Sequence, residues 1–575
     1  SHRFALSSSE IGMRCPNATM NCLRYIRWRF GSDCFVKLLL STFIGFALLQ
    51  ISVPAPPKMA MDPLQQAQQT LIAKKPEVAN RRPGKFYENI IVHFDLKGAP
   101  PRVPYFLELL ELAAQSGATG ILLEWEDMFP YEGRLEVVRS TDAYSMEDVK
   151  KILGKAKSLN LDIIPLVQTF GHLEWILKLK EFRSMRDQDQ FPQVLCLGDA
   201  EAVGLVKEAL DQVIKVHKEF GIPYFHIGCD EAFSFGNCEA SRAWMDRTKS
   251  SRESLALSHM REIALHVMIK SETTVVLAWN DMLKSFPTET IKQLELGKLI
   301  EPVVWDYSED IRTQNEMSWQ ALASNFPTAW ASSAFKGANF PSAQYMDVRH
   351  YEQGNRNWID HKRMHEPKFP SKFRGIIITG WQRYDHMAAL CETLPVGTPS
   401  MVLQIQTAVS ADHPNQNLIR KDAQRLLNCT DFRVASEQVV SNRCSFPGFR
   451  AYYDYQFGAR NAMRFVEEEM EKNHMILGWL SPYTRKHVMA QSWYLQQIEP
   501  TLGSMKMQLD RSIQQLRASM KDLFFENTIE ELIFLTIGEK AAFIESLIED
   551  LNKLKEVRIW PRRHFPIKAH DNTAL

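Results

Sequence analysis

Tyr224-Phe-His-Ile-Gly-Cys-Asp-Glu-Ala232 joins a short aromatic and β-branched run to two adjacent carboxylates, Asp230 and Glu231, just past a glycine. A buried strand ending in polar groups is one unit of a pattern that recurs along the chain. The other units are Ile90-Ile-Val-His-Phe-Asp95, Gly120-Ile-Leu-Leu-Glu-Trp125, Leu161-Asp-Ile-Ile-Pro-Leu-Val167, Thr274-Val-Val-Leu-Ala-Trp279, Glu301-Pro-Val-Val-Trp305, Thr328-Ala-Trp330 and Gly375-Ile-Ile-Ile-Thr-Gly-Trp381. Helical stretches separate them, among them Tyr105 to Gln115 and Ser145 to Leu159. Continuous apolar runs alternating with helices indicate parallel strands covered on both faces. Eight such runs indicate an α/β fold, a (β/α)8 TIM barrel. A doubly wound sheet would need a glycine-rich phosphate turn after its first strand, and Asp95-Leu-Lys-Gly-Ala-Pro-Pro101 is not one.

Active sites of such barrels sit at the C-terminal ends of the strands. Here those ends carry Asp95-Leu-Lys97, Glu124-Trp-Glu126, Gln168-Thr-Phe-Gly-His172, Asp230-Glu231, Trp279-Asn-Asp281, Trp305-Asp-Tyr307, Ser332-Ser-Ala-Phe335 and Trp381-Gln-Arg-Tyr-Asp385. An acid pair facing one site splits its titration, so one group stays anionic while its neighbour keeps a proton to donate. A solvated pair capping a helix is the plainer reading of adjacent acids. The ring of Trp125, Trp279, Trp305, Trp330 and Trp381 around this pair argues instead for a sugar, whose apolar C–H faces suit indoles.

The 575 residues exceed what one core-forming domain needs, and 68 basic residues balance 68 acidic ones. No net field draws the chain to nucleic acid. The nine cysteines show no CxxC or zinc-type grouping, and His361 and His365 lack an intervening Glu, so no metal or other cofactor is expected. Cys429 with Cys444 is a candidate local disulfide, buried free thiols being the alternative.

At the N-terminus, residues 35–53 are uncharged except for Lys37, with Arg24, Arg27 and Arg29 before them and Pro54 after. The reading is a signal-anchor helix of a single-pass type II membrane protein. Residues 1–34 would form a cytoplasmic tail and 54–85 a Pro- and Gln-rich stalk, with the rest of the chain lumenal or extracellular. A cleaved signal peptide is the alternative. Asn428-Cys-Thr430 is a glycosylation sequon on the lumenal side. The barrel is expected over 86–400, a strand-free helical region over 401–560 and a tail over 561–575. Leu509, Ile513, Leu516, Met520 and Leu523 line one helix face, and Phe543, Leu547 and Leu551 a second. Packing on the barrel is the expected use of these faces, and a homodimer seam the alternative.

His226-Ile-Gly-Cys-Asp-Glu231 resembles the His-x-Gly-Gly-Asp-Glu motif of glycoside hydrolase family 20, the β-N-acetylhexosaminidases, and Gln168-Thr-Phe-Gly-His172 is similar to its Asp-x-Pro-Gly-His turn. Asp95–Pro101, Glu126-Asp-Met-Phe-Pro-Tyr-Glu-Gly133 and Thr379-Gly-Trp-Gln-Arg-Tyr-Asp-His386 resemble the hexosaminidase D branch of that family. The resemblance implies a substrate-assisted, retaining exo-hydrolase of terminal β-linked GalNAc or GlcNAc. Glu231 would be the general acid and base, and Asp230 would orient the acetamido group that acts as nucleophile. It further implies that Tyr307 binds the acetamido carbonyl, that Trp279, Trp305 and Trp381 wall the sugar, and that His172, Asp95, Lys97 and Asp385 complete substrate binding. The partners implied are glycans ending in N-acetylhexosamine.

This chain departs from the family pattern at Cys229 for Gly, Lys97 for Arg, Gln168 for Asp, and Gln382-Arg383 where many relatives have Glu two residues after the Trp. Cys229 beside the acid suggests a thiol-sensitive site. The altered hydroxyl contacts leave a lectin-like pseudoenzyme as the alternative function. Hexosaminidase D relatives being typically nucleocytoplasmic, a soluble protein is the alternative location.

Overall fold

Parallel pairing of eight strands closes the sheet on itself in the computed structural model, which describes residues 86–563 apart from 273–274, 312–313, 413, 435–438 and 441–442. The barrel strands are β1 (Asn89–Asp95), β2 (Gly120–Glu124), β3 (Asp162–Leu166), β4 (Tyr224–His226), β5 (Val275–Trp279), β6 (Ile300–Trp305), β7 (Thr328–Lys336) and β8 (Lys372–Gly380). Each pairs with its neighbours in sequence, and β1 meets β8 with Val92 opposite Ile378. Every strand falls on an expected apolar run. The largest difference is β7, which runs on from Thr328 to Lys336, so the mouth on that side begins at Gly337 and not at Ser332.

Alternation along each strand sorts the core into two shells. Ile91, Leu122, Ile164, Leu166, Tyr224, Val275, Leu277, Val303, Trp330 and Ile377 fill the barrel interior. Residues of the other parity, such as Val92, Ile121, Ile163 and Ile376, join the shell beneath the surrounding helices. Those helices include Val103–Gln115, Met146–Ser158, Ala200–His217 and Arg252–Ser271. Met146–Ser158 starts on a full capping box between Ser145 and Asp148. The β3–β4 connection carries an extra antiparallel hairpin, Arg186–Gln188 with Phe191–Leu195.

The last barrel helix, Leu394–Val409, runs across residue 400. The region beyond is not free of strands: Arg433–Val434 pairs antiparallel with Val439–Val440. Helix Ser492–Met520 buries Leu509, Leu516 and Met520 within the chain itself, so the stripe that offered a dimer seam is already covered. In helix Glu539–Lys555 the buried side is Ile544, Leu547, Leu551 and Leu554, and Phe543 points outward at 44% exposure. The expected anchor at 35–53, the tail before it and the stalk at 54–85 lie outside the described residues. Among the described residues no helix is long and apolar enough to cross a membrane.

Candidate active site

Two residues beyond the interior layer, the same strand faces turn to the mouth. Leu122 is followed by Glu124, Leu166 by Gln168 and Val303 by Trp305, and all three line a cleft of about 630 Å3, open mouth included, at the C-terminal end of the barrel. The loops after β3 and β4 interlock there. A side chain on Gly171 would collide with the backbone of Asp230, and one on Gly228 with Gln168. His172, Cys229 and Glu231 all hold left-handed backbone, at φ of 51°, 73° and 46°. Such conformations cost about 1–3 kcal/mol each and persist where the surroundings enforce them.

The acid pair faces the cleft together with His172. The ring Nε2 of His172 lies 3.5 Å from Asp230 Oδ2 and 3.3 Å from Glu231 Oε2. Burial opposes a charge on His172, yet the Asp230 carboxylate and the Glu231 hydrogen bond raise it to about 10, so it is an imidazolium. Burial lifts Asp230 to about 7, the His172 cation pulling it down and the Asp281 and Glu231 carboxylates adding to the rise. The Asp230 side chain is nearly enclosed, whereas 34% of the Glu231 side chain remains exposed. The inner acid is thus shielded from water, and the outer one stays open to it.

Three indoles wall the cleft. Trp279 and Trp381 lie with ring centres 6.0 Å apart, Trp305 stacks on Tyr307 at 5.4 Å, and Tyr307 meets Trp381 edge-on at 6.4 Å. Burial pushes the Tyr307 phenol far up, so its hydroxyl is a neutral donor. The other two strand-end tryptophans do not reach the site. Trp125 has outward parity and donates to His217 at 3.1 Å beneath the helices. Trp330 sits mid-strand in the interior, donating to Glu301 at 2.9 Å.

Comparison with known proteins fits this arrangement. Residues 112–387 match the glycosyl hydrolase family 20 catalytic domain. Hexosaminidase D of Homo sapiens is 35% identical over 466 residues, 81% of this chain and 94% of the human protein. Hexosaminidase D of Bos taurus is 40% identical over 324 residues, 56% of this chain and 92% of the bovine one. The chain belongs to glycoside hydrolase family 20, in its hexosaminidase D branch. It is a glycoside hydrolase.

The floor of the family 20 cleft is charged. Lys97 Nζ lies 3.4 Å from Asp95 Oδ2, 3.6 Å from Glu126 Oε1 and 3.9 Å from Glu124 Oε1, and Lys97 and Glu124 line the cleft. Burial works against a charged Glu124, but Lys97 and a 3.1 Å hydrogen bond from His93 hold it well below the usual carboxylate range. Burial and the Glu124 charge push Glu126 up, against the pull of Lys97. Glu124 Oε1 and Gln168 Oε1 are buried without a hydrogen-bond partner within the described residues.

Two expected substrate ligands are occupied elsewhere. Asp95 accepts the backbone N–H of Lys97 at 2.9 Å and of Gln382 at 2.8 Å, tying the first and last strand ends together. Asp385 accepts from Met387 and Ala388 at 2.7 and 2.9 Å and closes a turn away from the cleft wall. The short polar side chain two or three residues ahead of free backbone N–H groups was the sequence signal for that turn. The surroundings of Cys229 disfavour the thiolate that a thiol-sensitive site would need. Cys229 is fully buried 3.3 Å from the Thr169 hydroxyl, and burial pushes its thiol to about 12.

Sequence reasoning placed Glu124 and Asp281 at strand ends but gave neither a role; for Glu124 the inward parity with Leu122 was the available signal. Asp281 accepts the backbone N–H of Glu231 at 2.8 Å and the Trp305 indole N–H at 3.0 Å. It also missed the Cys196–Cys238 disulfide, which spans 42 positions and pins the loop after Glu231 to the β3–β4 hairpin. The Cys429–Cys444 disulfide is present.

Proposed function

We propose that this protein removes terminal, non-reducing β-linked GalNAc or GlcNAc by substrate-assisted, retaining hydrolysis. The observation that carries the reading is that Asp230 and Glu231 both lie within 3.5 Å of His172 Nε2 in a cleft walled by Trp279, Trp305, Trp381 and Tyr307. The 2-acetamido oxygen of the substrate attacks the anomeric carbon while Glu231 protonates the departing oxygen. Asp230 holds the acetamido N–H and stabilises the positive charge of the oxazolinium, which Tyr307 steadies at the carbonyl oxygen. Glu231, now a carboxylate, takes a proton from water as it opens the ring. Nucleophile and acid then need not be two enzyme carboxylates at a fixed spacing. Glu124 and Lys97, with Gln168, are placed to receive the sugar hydroxyls.

The test compares wild type, Glu231→Gln and Asp230→Asn on aryl β-GlcNAc, aryl β-GalNAc and aryl β-glucoside. Cleavage of an acetamido sugar but not of the glucoside supports the assisted route, and the rate ratio assigns the sugar. Glu231→Gln should slow poor leaving groups far more than good ones, and Asp230→Asn should slow both. Folded wild type that binds N-acetylhexosamine without turnover would move the reading to a lectin-like protein.

The two disulfides suit an oxidising compartment, in keeping with a lumenal or extracellular catalytic domain. Loss of an oligosaccharide from exposed Asn428 on amidase treatment would support that location; an unmodified Asn428 in cell-derived protein would favour a soluble one.

A further inference from the structure

Arg383 lines the cleft, yet no N–H of its guanidinium is left to face a sugar. Nε donates to the Lys97 carbonyl at 3.1 Å. Nη1 donates to Ala388 O at 2.9 Å and to Glu531 Oε1 at 2.7 Å. Nη2 donates to Glu531 Oε2 at 2.9 Å and to Gly98 O at 3.4 Å. These account for all five donors of an arginine side chain. The group is 7% exposed, so any donor that lost its acceptor would be buried and unsatisfied.

The acceptors belong to three parts of the chain. Lys97 and Gly98 follow β1, Ala388 closes the loop after β8, and Glu531 lies on helix Glu526–Ile533 far beyond the barrel. Gly98 has φ of 65°, and a β-carbon there would sit 3.1 Å from the guanidinium, so the approach is built for glycine. The same C-terminal segment grips the β1 loop a second time, where Arg102 donates from its backbone N to Leu523 O at 2.7 Å and from Nε to Phe524 O at 2.9 Å.

We infer that Glu531 is a positioning residue of the active site, acting through Arg383 on the Lys97 loop and on the wall that carries Trp381 and Tyr384. The bidentate carboxylate orients the guanidinium fork, and the fork fixes the two loops relative to each other. Without it the guanidinium turns to recover solvent, Lys97 shifts against its three carboxylates, and the floor of the sugar site loosens. The acid pair, carried on the loop after β4, is not touched. The C-terminal helices are thus part of the substrate-binding apparatus, not only a support for the barrel. The inference rests on the hydrolytic reading above for its kinetic consequence, but its structural consequence stands apart from it.

The experiment uses the full chain as wild type, Glu531→Ala, Glu531→Gln and the control Glu530→Gln. Glu530 is on the same helix and makes its own bidentate pair with Arg517 at 2.7 Å, at the surface and away from the cleft. Loss of an acceptor for a charged group predicts a rise of about tenfold in KM for an aryl N-acetylhexosaminide in Glu531→Ala, with kcat within about twofold. Glu531→Gln, which keeps one acceptor, should fall between, and Glu530→Gln should match wild type. A mere loss of folded protein would lower apparent kcat and leave KM alone. In parallel, amide hydrogen exchange should quicken over residues 96–102 and 382–391 in Glu531→Ala and stay unchanged in β4 and β5. Unchanged KM, an equal rise in Glu530→Gln, or unchanged exchange in both loops overturns the inference. A wild type without turnover on any N-acetylhexosaminide removes the hydrolytic reading instead, and the exchange result then decides this one alone.

Discussion

Asp281 holds Glu231 by its backbone and Trp305 by its indole, one carboxylate oxygen to each, at 2.8 and 3.0 Å. Asp281, two residues past the end of β5, thereby fixes both the proposed proton donor and one wall of the pocket. Asparagine in its place would offer one acceptor oxygen and turn an NH2 group toward the second donor. Asp281→Asn should lower kcat about 10–100-fold, the worth of a hydrogen bond to a charged group. Steady-state kinetics at saturating aryl substrate measure this; an unchanged kcat would show that Glu231 holds its position unaided.

The pH profile should report Asp230. Burial raises this carboxyl to about 7, and the proposed mechanism uses it as an anion, so kcat/KM should climb as pH rises through about 7. His172 is cationic to about 10 and pulls Asp230 down. Replacing it with glutamine removes that pull, so in His172→Gln the rising limb should move to higher pH. A shift to lower pH would mean that another group carries the limb.

Cys196–Cys238 closes a loop of 42 positions, which by the loop-closure relation stabilises the fold by about 4 kcal/mol. The paired substitution Cys196→Ser with Cys238→Ser should lower the unfolding free energy by about that amount in urea titration. Because Asn237 also bonds Asp187 at 2.9 Å, the loop keeps a second tie, and kcat should drop less than stability does.

Both free thiols among the described residues are buried. Burial pushes Cys229 to about 12 and Cys391 to about 11, and the thiolate is the reacting species. Iodoacetamide at pH 7.5 should therefore leave both unlabelled in native protein by peptide mass mapping, with activity retained. Rapid labelling of Cys229 with loss of activity would show that the loop opens.

The barrel was legible because each strand carries a short apolar run that gives way to polar residues, a pattern that local sequence carries by itself. The acid pair and its three tryptophans were legible for the same reason: they stand where strands stop. Trp125 and Trp330 were misplaced because a tryptophan near a strand end says nothing of parity or of how far the strand continues. Asp385 was misplaced because its local turn satisfies it, which only the backbone path reveals. Asp281, Arg383 and Glu531 act through partners 50, 286 and 148 positions away, and no local pattern encodes such pairings.

The grip of Leu523 and Phe524 on Arg102 has a bearing on biosynthesis. Arg102 and Phe524 stand 422 positions apart, with every barrel strand but the first between them. At about 5–20 residues per second, roughly 20–80 s separate their emergence from the ribosome. For that interval the loop bearing Lys97 waits for its last contacts, so a nascent chain holding all eight strands would still lack a finished sugar site.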